Sequence, residues 1–186
     1  ENGRLQTAAR AIGVMQAAYE EARQYALDRK VFGQPISEFQ LTQAKLAQMV
    51  TTIDSAALLT YRAAWQRDQG KNVTREAAMA KLVATEGAQQ VIDAAVQIFG
   101  GLGVVSGQPV ERLYREIRSL RIYEGASEVQ QLIMIRFGLA RIADDEVAPE
   151  RGVGLTVADV GDAIQETLSV APSTHPPEQR LADVLQ

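Results

Sequence analysis

The residue best suited to chemistry is Glu124, in the run Ile122-Tyr123-Glu124-Gly125-Ala126. A carboxylate can act as a general base when its surroundings exclude water and raise its pKa toward the working range. Ser127 followed by Gln130 is a capping-box pattern, so Glu124 is predicted in the turn before a helix. The positive end of that helix should hold the carboxylate, and the turn should point it away from the protein core. Taken alone, such a residue is more often a solvated loop acid.

Two further runs could bind a ligand. Arg29 ends a predicted helix, and its guanidinium stays charged and can pair with a pyrophosphate. Gly100, Gly101 and Gly103 would let backbone N–H groups approach a ligand closely. Each feature has a plainer interpretation, because arginine is common at helix C-termini and glycine commonly ends a helix.

Composition excludes several kinds of chemistry. The chain of 186 residues has no cysteine, which removes disulfides and thiolate nucleophiles. Its one histidine, His175, lies in a proline-rich stretch, so a catalytic triad or a histidine metal cluster is not expected. The net charge of −4 without a basic cluster argues against a nucleic-acid surface. The apolar runs are too short to span a membrane.

The elements that must position these residues are helices. Apolar residues recur at spacings of three and four, alanine is abundant, and no segment alternates convincingly with period two. A capping box at Ser37 and Gln40 is expected to open the second helix. The fold class is therefore predicted to be all-α, an antiparallel four-helix-type bundle. The expected helices cover about 4–30, 37–70, 74–99, 109–120 and 127–142.

The chain is expected to divide into a bundle domain at 1–144 and an extension at 145–186. The extension holds four of the six prolines, and Thr156 to Leu168 could form a helix. The chain begins at Glu1 without methionine or a signal-like segment. We expect it to be a piece of a longer protein.

Three runs occur together, in this order and spacing. They are Tyr25-Ala26-Leu27-Asp28-Arg29-Lys30-Val31-Phe32-Gly33-Gln34-Pro35-Ile36 with Phe39-Gln40, then Gln97-Ile98-Phe99-Gly100-Gly101-Leu102-Gly103, then Ile122-Tyr123-Glu124-Gly125-Ala126-Ser127-Glu128-Val129-Gln130. From Arg4 to about Arg141 this pattern resembles the C-terminal domain of acyl-CoA dehydrogenases. Each run alone favours its plainer interpretation, but the three runs together favour the family resemblance.

The resemblance implies an FAD flavoenzyme of fatty-acid β-oxidation that desaturates an acyl-CoA thioester between its α and β carbons, with Glu124 as the base that removes the α-proton. It implies FAD contacts, some of them to a neighbouring subunit's flavin, at Arg29, Phe32, Phe39, Gln40, Gln97, Ile98, Phe99, Gly100 and Gly101. Contacts to the same subunit's flavin are implied at Ala126, Ser127 and Glu128. Substrate contacts are implied at Arg4 and Gly125, and more weakly at Asn72 and Thr74.

Two positions bear on the identity of the base. Some branched-chain members of the family take it from the first helix, at the residue just before the matching arginine. Here that residue is Gly3, so Glu124 is favoured. Ala126 stands where a hydroxyl residue is commonest, which loses a possible hydrogen bond to the flavin.

The resemblance also implies what lies around this domain. Family members carry an N-terminal helical domain and a middle β domain, so the chain alone should have little or no activity. Implied partners are an acyl-CoA, an electron acceptor such as an electron-transfer flavoprotein, and further copies in a dimer or tetramer. The expected location is the bacterial cytoplasm, or the mitochondrial matrix in a eukaryote. The alternatives are an acyl-CoA oxidase or flavin monooxygenase of the same fold, and a non-catalytic assembly subunit.

Overall fold

The structure is a computed structural model that describes residues 1–147, with side chains through residue 137. Five α-helices make up most of this part: α1 Asn2–Asp28, α2 Gln40–Asp68, α3 Thr74–Phe99, α4 Pro109–Leu120 and α5 Ser127–Val147. The all-helical prediction is confirmed, and the observed helix bounds lie within a few residues of the expected ones. No helix of the described part is long and apolar enough to cross a membrane.

The first four helices run alternately up and down. Glu1 contacts Arg67 and Thr74, so the start of α1 lies beside the end of α2 and the start of α3. At the other end, Tyr25 of α1 stacks on Phe99 of α3 with ring centroids 4.2 Å apart. Helix α4 packs on α1 and α3 and returns the chain toward the start of α1. The antiparallel bundle is therefore confirmed.

Small side chains let the helices approach closely. Five alanines of α1 are fully buried, namely Ala8, Ala11, Ala18, Ala22 and Ala26. Gly87 of α3 leaves room for the Thr52 methyl group, which would lie 2.7 Å from an added Cβ. Met15, Met49 and Ile92 fill the space between the helices. Burying each such large side chain stabilises the fold by about 1.5–3 kcal/mol.

The connection from α1 to α2 differs from the prediction. Two-residue strands β1 (Lys30–Val31) and β2 (Gln34–Pro35) form a hairpin, followed by a 3₁₀ turn at Ile36–Glu38. The predicted capping box at Ser37 and Gln40 is wrong. Helix α2 begins at Gln40, its N-cap residue is Phe39, and no side chain caps it.

Beyond the bundle, α5 extends to Val147, a few residues past the expected end. Residues Glu1–Ala143 form one compact unit. The domain division at 144 stays a prediction. The expected helix from Thr156 to Leu168, and His175, lie outside the described residues.

Candidate active site

Glu124 lies in the turn between α4 and α5, where the sequence predicted it. The turn begins with backbone hydrogen bonds from Ile122 and Tyr123 to the carbonyl of Ser119. Glu124 and Gly125 then both have positive φ angles, 58° and 91°. This left-handed conformation is uncommon for a residue with a side chain and costs roughly 1–3 kcal/mol, so the surrounding contacts must hold it.

The Glu124 carboxylate lies against the first turn of α1. A Cβ added to Gly3 would be 2.2 Å from Oε2 and 2.8 Å from Oε1 of Glu124. Only glycine at position 3 leaves room for this arrangement. The residue is exposed, as expected of a turn that points away from the core, and its carboxylate lies over the first turn of α1.

Buried side chains hold the turn from the inside. The Nε2 of fully buried Gln130 donates to the carbonyls of Glu124 and Gly125, at 3.1 and 2.8 Å. The Nζ of Lys81 donates to the carbonyl of Gly125 at 2.5 Å. A Cβ on Gly125 would lie 2.5 Å from Nε2 of Gln130, so this glycine is also required.

The second predicted capping box, Ser127 with Gln130, is also wrong, because both side chains have other partners. The Ser127 hydroxyl donates to the carboxylate of Glu86, which also accepts two bonds from Arg121 at 2.9 and 2.7 Å. Partial burial raises the pKa of Glu86, but the hydrogen bonds from Ser127 and Arg121 outweigh it. The pKa of this carboxyl therefore lies below its ordinary value, and the ionised form ties α3 to both ends of the turn.

The substrate residues implied by the resemblance cluster near the same end of the bundle. Arg4 follows Gly3 in α1, and its Nε is buried without a hydrogen-bond partner among the described residues. The Thr74 hydroxyl donates to Glu1 at 2.5 Å, and the Asn72 side-chain oxygen accepts from the backbone N–H of Thr74. The bond from Thr74 lowers the pKa of Glu1. The Thr74 hydroxyl is thus already engaged within the chain.

The residues implied to contact FAD from the first run lie at the opposite end of α1. Arg29 directly follows α1 and is exposed. Phe32 sits at the tip of the hairpin with a φ of 51°, and its side chain is 94% exposed. Phe39 is half-buried at the start of α2, and Gln40 is exposed. A fully exposed phenylalanine on a left-handed residue suggests a ligand or partner surface.

The second run lies at this end as well. Gln97, Gly100 and Gly101 are exposed, and an added Cβ on either glycine would meet nothing within 4 Å. Ile98 and Phe99 are buried in the core. Gly103 packs closely within the chain: its Cβ would lie 2.5 Å from the carbonyl of Val96. The expectation that Gly103 helps a ligand approach is therefore wrong. At Gly100 and Gly101 the backbone is exposed and could be approached closely.

The candidate residues therefore form two groups rather than one. Gly3, Arg4 and the turn with Glu124, Ala126 and Glu128 lie at one end of α1; the other group surrounds Arg29 and Gly100. Helix α1 has 27 residues, so the two groups are about 40 Å apart. We call them the base end and the hairpin end.

Two residues of the base end were not found from the sequence. Lys81 and Glu86 lie on α3, in a run whose spacing predicts an amphipathic helix and indicates no functional role. The available signal was Lys81 itself, a charged residue on the buried stripe formed by Ala77, Ala84 and Ala88. Nothing local predicts the role of Glu86, because its partners are more than thirty residues away along the chain.

The family described as "Acyl-CoA dehydrogenase, C-terminal domain" matches residues 1–139. The chain therefore belongs to the acyl-CoA dehydrogenase family, whose named homologues are oxidoreductases.

Curated relatives support this membership. The 3-(aryl)acrylate reductase of Clostridium sporogenes is 48% identical over 132 residues, 71% of this chain and 35% of the relative. The mitochondrial short-chain specific acyl-CoA dehydrogenase of Bos taurus is 47% identical over 134 residues, which cover 72% of this chain and 32% of the relative. A caffeyl-CoA reductase–Etf complex subunit of Acetobacterium woodii is 46% identical over 132 residues, which cover 71% of this chain and 35% of the relative. The chain spans about a third of the length of these relatives.

Solved structures agree. The butyryl-CoA dehydrogenase of Megasphaera elsdenii superimposes with a TM-score of 0.72 at 42% identity, covering 74% of this chain and 36% of that one.

Proposed function

We propose that the chain is the C-terminal domain of an FAD-dependent acyl-CoA dehydrogenase in which Glu124 removes the α-proton of an acyl-CoA thioester. The observation that carries the proposal is the placement of Glu124. Its carboxylate is exposed to a ligand, lies against Gly3, and rises from a left-handed turn whose carbonyls are held by buried donors. Such a turn fixes the direction of a general base before the substrate arrives.

The α-proton of a thioester is weakly acidic, so its removal needs stabilisation of the enolate charge at the carbonyl oxygen. We assign the backbone N–H of Glu124 as one donor of a hydrogen bond to that carbonyl oxygen. No acceptor among the described residues takes this N–H.

The hairpin end fits a flavin dinucleotide. Arg29 offers an exposed guanidinium for a pyrophosphate, and Gly100 and Gly101 offer backbone that a ligand can approach closely. Phe32 offers an exposed ring. FAD, when bound, supplies the acceptor for the hydride that leaves the β carbon.

A separation of about 40 Å along α1 means that the two ends of one chain lie far apart. This supports a shared site, in which the hairpin end of one subunit meets the flavin near another subunit's base end. We therefore propose a dimer or tetramer. Arg4 and Asn72, at the base end, are proposed to contact the acyl-CoA.

The whole protein is proposed to be longer than this chain, to pass its electrons to an electron-transfer flavoprotein, and to work in the bacterial cytoplasm or the mitochondrial matrix. The relative named as an Etf-complex subunit and the relative named as mitochondrial support these assignments. The relative named as an acrylate reductase favours a second candidate, the reverse reaction. In that direction Glu124 returns the proton to the α carbon.

The test is Glu124→Gln in the full-length flavin-loaded protein, with Glu21→Gln on the exposed face of α1 as control. The variant keeps the size of the side chain, so folding and FAD content should survive. Loss of a positioned base typically costs about 10²–10⁴-fold, so acyl-CoA should no longer bleach the flavin on anaerobic mixing. Flavin reduction at the parent rate would reject Glu124 as the base. Faster reoxidation by an enoyl-CoA than reduction by the acyl-CoA would favour the second candidate.

A further inference from the structure

Lys81 is a cation in the core of the bundle. It has the largest side chain among the fully buried residues, and its neighbours on the same stripe of α3 include Ala77, Ala84 and Ala88. Lysine is rarely fully buried, because removing an ammonium group from water is costly unless a partner satisfies it. Among the described residues, no carboxylate lies within ion-pair distance of Nζ. The partner that it does have is a backbone carbonyl.

That carbonyl belongs to the turn that carries Glu124. Nζ of Lys81 donates to the oxygen of Gly125 at 2.5 Å, and the same oxygen accepts from Gln130 Nε2 at 2.8 Å. Gln130 also donates to the oxygen of Glu124. Two successive carbonyls are thus held by donors from α3 and α5. A bond from a charged donor contributes about 1.5–3 kcal/mol, which is comparable to the cost of the left-handed backbone.

These bonds constrain the opposite side of the backbone. The peptide bonds are trans, so the N–H of each peptide points away from its carbonyl. The carbonyls of Glu124 and Gly125 belong to the two peptide planes that meet at Gly125, so holding them toward Lys81 and Gln130 fixes the φ and ψ angles of Gly125. The first of these planes starts at the Cα of Glu124, so its orientation limits the directions in which the Glu124 side chain can leave the backbone.

We propose that Lys81 is a positioning residue: its buried ammonium holds the carbonyl of Gly125 and thereby aims the Glu124 carboxylate over Gly3. This inference rests on the proposed role of Glu124 as the base. Lys81 itself is fully buried, so it acts on Glu124 through the turn. Its charge adds a second effect, because the Lys81 ammonium and the Glu124 carboxylate attract each other, an interaction that raises the pKa of Lys81.

Charged side chains of α1, α3, the turn and α5 all affect the pKa of Lys81. Burial lowers its pKa; Arg4 of α1 lowers it further, whereas Glu86 of α3, Glu124 of the turn and Glu128 of α5 raise it. The net direction is downward, as expected when desolvation outweighs partly exposed carboxylates. The cation is retained in the core at a cost, which is consistent with a role beyond packing.

The experiment uses the full-length flavin-loaded protein with Lys81→Met, Lys81→Gln and the control Lys45→Met on α2. Methionine keeps the length of the side chain without charge or donor, and glutamine keeps a donor without charge. Replacing a buried charge by an apolar group is often neutral for stability, so Lys81→Met should fold. Lys81→Gln keeps a donor for the Gly125 carbonyl and should also fold. Thermal unfolding checks both variants.

Two measurements are informative. Hydrogen exchange reports on the amides of Tyr123 and Gln130, which are bonded to Ser119 and Ala126 on either side of the turn. In Lys81→Met we expect exchange there to accelerate about tenfold, matching the loss of a charge-assisted bond. Anaerobic flavin reduction should slow about tenfold, and its acidic limb should move to higher pH. Lys81→Gln should recover part of the exchange protection but keep the shifted pH limb, because it restores the donor and not the charge.

Unchanged exchange together with an unmoved pH limb in Lys81→Met would overturn the inference. A rate loss of the same size at every pH, with unchanged exchange, would also overturn it, since that is the signature of a merely structural effect. Failure of the base assignment is recognised separately, because Glu124→Gln would then reduce its flavin at the parent rate. In that case the exchange data still show whether Lys81 holds the turn.

Discussion

The base end and the hairpin end of the bundle are held in different ways. At the base end, buried or half-buried polar groups reach across the chain: Lys81 and Gln130 bind the turn, and Glu86 binds Arg121 and Ser127. At the hairpin end, apolar contact such as Tyr25 on Phe99 holds the scaffold. The groups implied to bind FAD there, including Arg29 and Phe32, are exposed to solvent.

The difference indicates what each end requires. The proposed base must be placed precisely against its substrate, so its supports are built into the same chain. Under the proposed function, the exposed groups of the hairpin end gain contacts when the cofactor and another subunit bind. Substitutions at the base end should therefore change reaction rate, and those at the hairpin end should change binding.

Among the changes that test the difference between the two ends, the largest effect is expected for Gly3→Ala. The added Cβ would collide with the Glu124 carboxylate, which is the mobile end of a side chain and can move aside. Folding and FAD content should therefore persist, while flavin reduction by acyl-CoA falls about hundredfold because the base is displaced. The control is Gly13→Ala, also in α1, where an added Cβ meets nothing within 4 Å. It should leave the rate unchanged and stabilise the helix by about 0.5–1 kcal/mol. Equal rates in the two variants would contradict the placement of Glu124.

Arg29→Ala tests the hairpin end. Loss of one charge-assisted bond to a pyrophosphate should weaken FAD binding by about ten- to hundredfold, measured by flavin fluorescence at equilibrium. The fraction that still holds flavin should be reduced by acyl-CoA at the parent rate. Arg23→Ala, an exposed arginine earlier in α1, serves as the control. A slow rate in the flavin-loaded fraction, with unchanged FAD affinity, would assign Arg29 to the chemistry instead.

The smallest effect is expected for Glu86→Gln. Because the folded pKa of Glu86 lies below its ordinary 4.5, its ionised form stabilises the fold above that pH. This contribution is lost as the pH falls through the lowered value. The parent should exceed the variant in free energy of unfolding near neutral pH by on the order of 1 kcal/mol or less, since the group is partly exposed. Denaturant unfolding at several pH values should show this gap closing below pH 4.5. A difference in free energy of unfolding that grows as the pH falls would contradict the stabilising role of the ionised Glu86 carboxylate.

The fold could be predicted because its signals are local. Apolar residues at helical spacing, Pro109 at the first position of α4 and the glycines after Phe99 mark helices and their ends within a few residues. The hairpin was missed because strands of two residues are too short to show a period of two. The second capping box was wrong because a tertiary partner, Glu86, takes the Ser127 hydroxyl. The first was wrong because Ser37 lies in the 3₁₀ turn before α2, so it is not the residue that caps the helix.

The candidate site was predictable only in part. The three runs that carry the family resemblance gave Glu124, Arg29 and the glycine turn. Their division between two ends of α1 follows from the packing of α1 on α3, which no single run reveals. Lys81 was missed because its role depends on a carbonyl that lies 44 residues away.

The contact between Gly3 and Glu124 restricts how this sequence can change over evolutionary time. Two positions separated by most of the domain share a single volume, so a side chain at one excludes the long carboxylate at the other. Substitutions at position 3 should be harmful in the presence of Glu124 and tolerated once position 124 has become small. Such sign-changing epistasis makes the order of mutations matter, because under the proposed function every single step away from the present pair passes through a less active protein.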